Sequence, residues 1–271
     1  MSVPPFGRCG FASIEEFKCK EFHSYFDEME QYQNIFLKYE NDFREGGYKW
    51  PRDPLHTWSR PWEYSYILHN IQKFKKATGI RHILDFGSGT TFFPFYIAEH
   101  DHNVVCVDVD PIVESEMKNA IKNIRLKAGA VSFRLIDGKE LPFDDNSMDL
   151  IYSISVLEHI PDPAQIISEI HRVLKPGGHL LLTYDVAIGE NCENIINDSF
   201  DMYNGLKFFN KILPETPISE SSILTSNNGP YPLSNSIGNE NILSIINRVL
   251  LKGIWMKEPR IACKGYVLVK A

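Results

Sequence analysis

No run of this 271-residue sequence approaches the roughly 18 consecutive apolar residues of a membrane-crossing helix, so no insertion into a bilayer is expected. Basic residues are in the minority. There are 28 Lys and Arg against 35 Asp and Glu, a net charge of −7. Phosphate backbones attract basic surfaces, so nucleic acid is a disfavoured partner. Cysteine is sparse and scattered, with Cys9, Cys19, Cys106, Cys192 and Cys263 never forming a C-x-x-C pair. That pattern argues against a zinc site and a disulfide framework, and no metal is expected. It suits reduced thiols in a cytoplasmic protein. The opening segment, MSVPPFGRCGFASIEEF, has no apolar signal core, which agrees with that location. The pattern carries neither an internal repeat nor an oligomer signal.

What is present falls into two textures. The first, over residues 1–79, reads as a helical and aromatic cap segment. Ser13 and Glu16 stand at capping-box spacing. Apolar and aromatic residues then recur at Phe17, Phe22, Tyr25, Phe26, Met29, Tyr32, Phe36, Tyr39 and Phe43, a single helical stripe. Gly46, Gly47, Pro51 and Pro54 end it. A second helix is predicted from about Pro61 to Ala77, stopped by Gly79.

From residue 80 onward, strands and helices alternate. RHILDFG, NVVCVDVD, AVSFRLIDG, MDLIYSIS and HLLLTYD read as strands rich in Val, Ile and Leu, with helical segments between them. That alternation predicts βαβ units and a doubly wound, mostly parallel α/β sheet covered on both faces. The rhythm breaks after about residue 186. Between Pro214 and Glu240, 16 of 27 residues are Pro, Ser, Asn or Gly and none is Lys or Arg, so an insertion at about 186–240 is expected to be an irregular loop. A helix near Glu240–Leu251, an extended piece near Ile254–Lys257 and a strand near Ala262–Val269 would close the chain.

The chemistry concentrates at the strand ends, where ligands bind in doubly wound sheets. The first such end is ILDFGSGTT. Gly87 and Gly89 permit a tight turn and close backbone approach to a ligand, although a lone G-x-G is also simply a turn. A dinucleotide fingerprint would place a third glycine where Phe92 stands. Asp85, before the glycines, would repel a pyrophosphate but suits a ligand with cationic groups. Asp108 ends the second strand, 21 residues after Gly87, where a carboxylate can accept from ribose hydroxyls. Its alternative, a helix N-cap, fits Asp110 better. Asp137 ends the third strand and, with Gly138, reads either as an adenine contact or as an Asp-Gly turn.

With these residues in place, the sequence resembles a class I, Rossmann-like S-adenosylmethionine-dependent methyltransferase of the small-molecule group. The likeness covers roughly residues 80–185 and is carried most specifically by LPFDDNSMDLIYSISVLEHIPDPAQIISEIHRVLKPGGHLLLT. Thr91 departs from the small residue of the glycine-rich motif. The resemblance implies a seven-stranded sheet closed by a C-terminal antiparallel hairpin, with KGYVLVKA supplying the last strand. It also implies S-adenosyl-L-methionine as cofactor, with Ser155 and Val156 lining its pocket. A hydroxyl acceptor needs a base, and the candidates are His159 in SVLEHI and Asp185 ending TYD. In this fold a segment before the first strand can lie over the cofactor. Trp62 or Tyr64 would then cover its methionine end, although aromatic stripes usually belong to cores. His56 is a weaker candidate for substrate contact. The leading expectation is O-methylation of a small polar or carbohydrate acceptor. Alternatives are N-methylation of an amino sugar or small amine, and a non-catalytic binding protein on the same fold. A dehydrogenase is weakened by Phe92.

Overall fold

The computed structural model describes residues 4–188, 206–231 and 260–271. Eight strands form one sheet: β1 (Gly10–Phe11), β2 (His82–Phe86), β3 (Asn103–Asp108), β4 (Ala130–Leu135), β5 (Met148–Ile154), β6 (Leu174–Ile188), β7 (Phe209–Lys211) and β8 (Arg260–Lys270). Their order is β1-β8-β6-β5-β2-β3-β4, with β7 also paired to β8. Strands β2 to β6 are mutually parallel. β8 runs antiparallel to β6, with Asp185 opposite Cys263. The expected mostly parallel sheet with an antiparallel C-terminal strand is therefore present. The two-residue β1, drawn from the cap segment, brings the described strands to eight.

Strand order reverses beside β2, which has β3 on one side and β5 on the other. Chain reversals of this kind leave a crevice at the carboxyl ends of the strands. The covering helices are α1 (Lys20–Lys38), α2 (Glu40–Phe43), α3 (Arg60–Thr78), α4 (Phe93–Ala98), α5 (Pro111–Asn123) and α6 (Pro163–Val173). α3 begins with Pro61 in its first turn and ends at Gly79, whose N–H bonds the Lys75 carbonyl. Its buried positions run around much of its circumference, from Trp62 and Tyr64 to Ile71 and Phe74. This helix is packed inside the molecule, and its side chains share one apolar core with the sheet and α1.

The single N-terminal helix expected from the stripe is broken into three pieces. The Ser13–Glu16 capping box closes, but on a short 3-10 helix, Ile14–Lys18. Cys19 then turns extended and its sulfur caps α1 by accepting the Phe22 N–H. Tyr39 separates α1 from α2. The cause lies inside the core. The Glu16 carboxylate accepts the backbone N–H groups of Phe6 and Ser13, the Arg8 guanidinium and the Trp62 indole. A helix run straight through Cys19 could not present Glu16 to all four.

The part of the insertion described here, 206–231, is irregular as expected but laced to the body. Cys9 bridges to Glu215, Ser13 to Ile223 and Thr225 to Ala262, and Leu224 is fully buried. The helix and extended piece predicted at 240–257 lie outside the described residues. Among the described residues, no helix is long and apolar enough to cross a membrane.

Candidate active site

The glycine turn sits at the tip of β2, and its two glycines are required by their surroundings. Both have positive φ, +75° at Gly87 and +51° at Gly89. A Cβ on Gly87 would come within 2.5 Å of a Val156 methyl. The Gly89 N–H is donated to Asp108 Oδ2 at 2.9 Å, tying the turn to the tip of β3. The cap segment braces the far side. The Tyr48 hydroxyl accepts the Thr90 N–H at 3.0 Å, and Arg44 donates to the Thr90 carbonyl at 2.8 Å. α4 is only six residues long, so it contributes little macrodipole, and the turn and the acids make the cradle.

The three acids stand at adjacent strand tips. Asp85 is only 4% exposed, and burial drives its pKa up to about 8, with Asp108 adding to the rise. The Tyr152 phenol lies alongside but outside bonding geometry, and its own oxygen has no partner. Among the described residues no donor hydrogen-bonds the Asp85 carboxyl in good geometry. Asp108 accepts from Gly89, Val109 and Asp110, and burial raises its pKa despite these bonds. The adjacent Asp110 caps α5 by accepting the Ile112 N–H at 2.9 Å, so the two acids divide the roles as expected. Asp137 is exposed and closes an Asx turn onto Lys139 and Glu140, whose N–H groups hold its pKa low. Beside it a Cβ on Gly138 would stand 3.2 Å from Val109, an apolar side chain left 59% exposed.

A second acidic group lies where the end of β5 meets the Thr183–Asp185 stretch of β6. Glu63 of α3 is fully buried and accepts the hydroxyls of Ser59 (2.9 Å), Ser155 (2.7 Å) and Thr183 (2.7 Å), with Arg60 as its counterion. Burial works against its charge, but Arg60 and the hydroxyls prevail and keep its pKa low. Asp185 takes the Trp58 indole N–H on both oxygens, at 3.1 and 3.0 Å. Burial and then Glu63 raise its pKa to about 7. Glu158 accepts the Asp185 backbone N–H at 3.0 Å, and burial together with the Asp185 charge raises it to about 8. His159 is exposed, with its ring 6.1 Å from that of Trp50. Partial burial and Arg60 lower its pKa, which keeps the imidazole neutral.

Residues 84–182 match the family model described as a methyltransferase domain. An uncharacterised methyltransferase of Mycobacterium leprae (strain TN) is 38% identical over 109 residues, covering 40% of this chain and 39% of its own length. One of Mycobacteroides abscessus is 34% identical over 121 residues, covering 43% and 46%. The chain thus spans less than half the length of the curated relatives it matches. In fold, it is similar to the [4+2]-cyclase SpnF, with a TM-score of 0.53 at 16% identity over 93% of this chain and 97% of that one. It is also similar to geranyl diphosphate C-methyltransferase from Streptomyces coelicolor A3(2), with 0.51 at 14% over 89% and 97%. Residues 84–182 of the chain are a methyltransferase domain. Glycine turn, strand-tip acids and sheet order all fall within or beside that domain.

Against this methyltransferase frame, some expected cofactor contacts are placed elsewhere. Trp62 is corrected. Its ring is 1% exposed and stacks on Tyr66 at 4.8 Å, and its N–H is held by Glu16, so it offers no surface to a ligand. Tyr64 is buried against Phe92 and Phe93, with its hydroxyl pKa raised by burial. Phe92 therefore fills, as core, the place where a dinucleotide fingerprint has glycine. Ser155 is at the β5 tip with φ +48°, but its hydroxyl is engaged by Glu63, leaving Val156 over the glycine turn. His56 is gripped by Asp53 and Glu30 on its two ring nitrogens, which raise its pKa over the opposing effect of burial. Sequence reasoning missed Glu63, Trp58, Glu158, Tyr48 and Val109. Only Glu158 had a local signal, its place beside His159.

These buried carboxyls set a pH dependence. Asp85, Asp185 and Glu158 have folded pKa values above those of an unfolded chain, so folding holds their protons and loses that stabilisation as pH rises. The lowered histidines oppose this only up to their unfolded value near 6.5. Stability is therefore expected to fall from pH 6.5 to 8, by up to about 1.4 kcal/mol per pH unit for Asp85. Urea titrations across that window check this, and an Asp85→Asn variant should show a flatter slope.

Proposed function

We propose that this protein methylates a hydroxyl of a small polar acceptor, such as a sugar or glycan precursor, with Asp185 as the base. The observation that supports this reading most is the Asp185 carboxylate. It is half-buried in the C-terminal part of β6, oriented on both oxygens and raised to about 7 by burial and by Glu63. A base poised near the working pH is best suited to take a hydroxyl proton.

The chain's residues fit S-adenosylmethionine. Asp85 would meet its cationic methionine end, Asp108 the ribose, and Asp137 with Gly138 and Val109 the adenine. Bound there, the cofactor supplies a methyl group on a sulfonium, an excellent leaving group. The protein's task is then alignment and exclusion of water. Val156 closes over the glycine turn, Tyr48 braces it, and residues 1–79 serve as the cap that narrows access. Asp185 holds the acceptor's proton on its carboxylate, while His159, neutral and exposed, lies at the rim as a second proton acceptor.

The amine reading has its own support. Glu158 and Asp185 lie beside the Glu63–Arg60 pair with raised pKa values, and a cationic acceptor such as an amino sugar would draw both towards their charged forms. Four cysteines among the described residues are unpaired, which supports a cytoplasmic setting.

Methyl-labelled cofactor and a panel of sugars, amino sugars and small amines test the reading. Turnover is expected on a hydroxyl acceptor, with Asp185→Asn slowing it at least about a hundredfold at unchanged cofactor affinity. Tight cofactor binding without turnover on any acceptor would overturn it in favour of a binding protein. Labelled N-methyl product would favour the amine.

A further inference from the structure

We propose that Trp58 is the positioning residue of this site, its indole N–H holding the Asp185 carboxylate at the crevice. This rests on the reading of Asp185 as the acceptor's base.

The contact spans 127 positions of sequence and joins the cap segment to the sheet at one point. Indole is a donor only, so it favours the ionised carboxylate. Both Asp185 oxygens share that one N–H, and no other side chain among the described residues donates to them. The remaining lone pairs are left for an acceptor hydroxyl. Burial and Glu63 press against ionisation of Asp185, while the Arg60 charge and the Trp58 hydrogen bond oppose them.

The backbone shows that this contact is built. Trp58 has φ +36°, a left-handed conformation costly for a bulky residue. It persists because the turn around it is pinned. The Thr57 hydroxyl donates to the Asp53 carbonyl at 2.8 Å, and the Arg60 N–H returns to the Thr57 carbonyl at 2.9 Å. The Trp62 and Glu63 N–H groups both close on the Ser59 carbonyl. The ring itself is 2% exposed, with Gly229 of the insertion packed against it. The same turn delivers Ser59 and Arg60 to Glu63, so one short segment supplies both hydrogen bonds and counter-charge to the acidic group. Trp62 provides an internal comparison. Its indole also holds a buried carboxylate, Glu16, but in the core.

The test uses full-length protein carrying carboxyl-labelled aspartate, with the Asp185 carbon resonance assigned through Asp185→Asn. In Trp58→Phe the Asp185 midpoint should rise by about one pH unit, a tenfold weaker acid. Trp62→Phe should lower the melting temperature and leave that midpoint unmoved. In the wild type the Trp58 indole N–H resonance should titrate with the Asp185 midpoint and stop doing so in Asp185→Asn. This measurement decides the matter even if Trp58→Phe does not fold. An unmoved midpoint in folded Trp58→Phe, or an indole signal indifferent to Asp185, would overturn the proposal. Calorimetry with S-adenosylhomocysteine separates the two readings. A wild type that fails to bind it sinks methyl transfer, while the resonance titration alone judges the indole's hold.

Discussion

Replacing Asp108 with alanine is expected to raise the dissociation constant for S-adenosylmethionine at least about a hundredfold in calorimetry. Two effects combine. In the proposed reading the carboxylate accepts from the ribose hydroxyls, and hydrogen bonds to a charged group contribute about 1.5–3 kcal/mol each. The same carboxylate latches the turn, receiving the N–H groups of Gly89 at 2.9 Å and Val109 at 2.7 Å. Alanine removes the acceptor and unlatches the glycine turn together. Asp108→Asn, which keeps one acceptor oxygen, should lie between. Asp110→Ala is the control. It deletes a helix cap, at a stability cost of about 1 kcal/mol, and should bind cofactor as the wild type does. An Asp108→Ala protein with unaltered affinity would show that the ribose is held elsewhere.

Glu63→Ala should be the most destabilising single change at the site. The side chain is fully buried, and three hydroxyls and one guanidinium converge on it from α3, from the end of β5 and from β6. Its loss leaves Arg60 without its counterion and the Ser155 and Thr183 hydroxyls without an acceptor. Breaking a buried pair on one side costs about 3–5 kcal/mol. In a chain of this size that corresponds to a fall in melting temperature of roughly 10 °C, measurable by calorimetry. Glu63→Gln preserves the shape and some of the hydrogen bonds and should cost less, while still stranding the Arg60 charge. Since Glu63 also helps raise Asp185, either variant should lower the Asp185 midpoint. A melting temperature within a degree of the wild type would mean that the Glu63 hydrogen bonds and ion pair contribute nothing net to holding the cap on the sheet.

Particular elements show how much could be read without coordinates. The helix stop at Gly79 and the strands ending in Asp85, Asp108 and Asp137 are legible because each depends on residues within a few positions of one another. The N-terminal stripe misled. Its periodicity is genuine, but Glu16 is drawn into the core by Phe6, Arg8 and Trp62, and the helix breaks where that carboxylate turns inward. Trp58, Trp62, Tyr64 and Tyr66 stand close together in the sequence, but they are legible there as composition only. Whether an indole among them faces ligand, core or carboxylate depends on partners far along the chain. Trp62 turned to Glu16 and Trp58 to Asp185, and nothing in their neighbours distinguishes the two.

The parallel sheet and the carboxylates at the ends of β2 and β3 are legible in the residue order alone. Hydrophobic period, glycine and strand-end carboxylates are local quantities, and a doubly wound sheet puts every strand tip on one edge. It took the folded chain to show which buried carboxylate favours its charge, which favours its proton and which carboxylate each indole meets. Those outcomes depend on desolvation and on donors 92 to 127 residues away, as with Glu63 and Ser155 or Trp58 and Asp185. A buried polar group takes whatever partner the folded chain brings within about 3 Å, and linear order does not encode that distance.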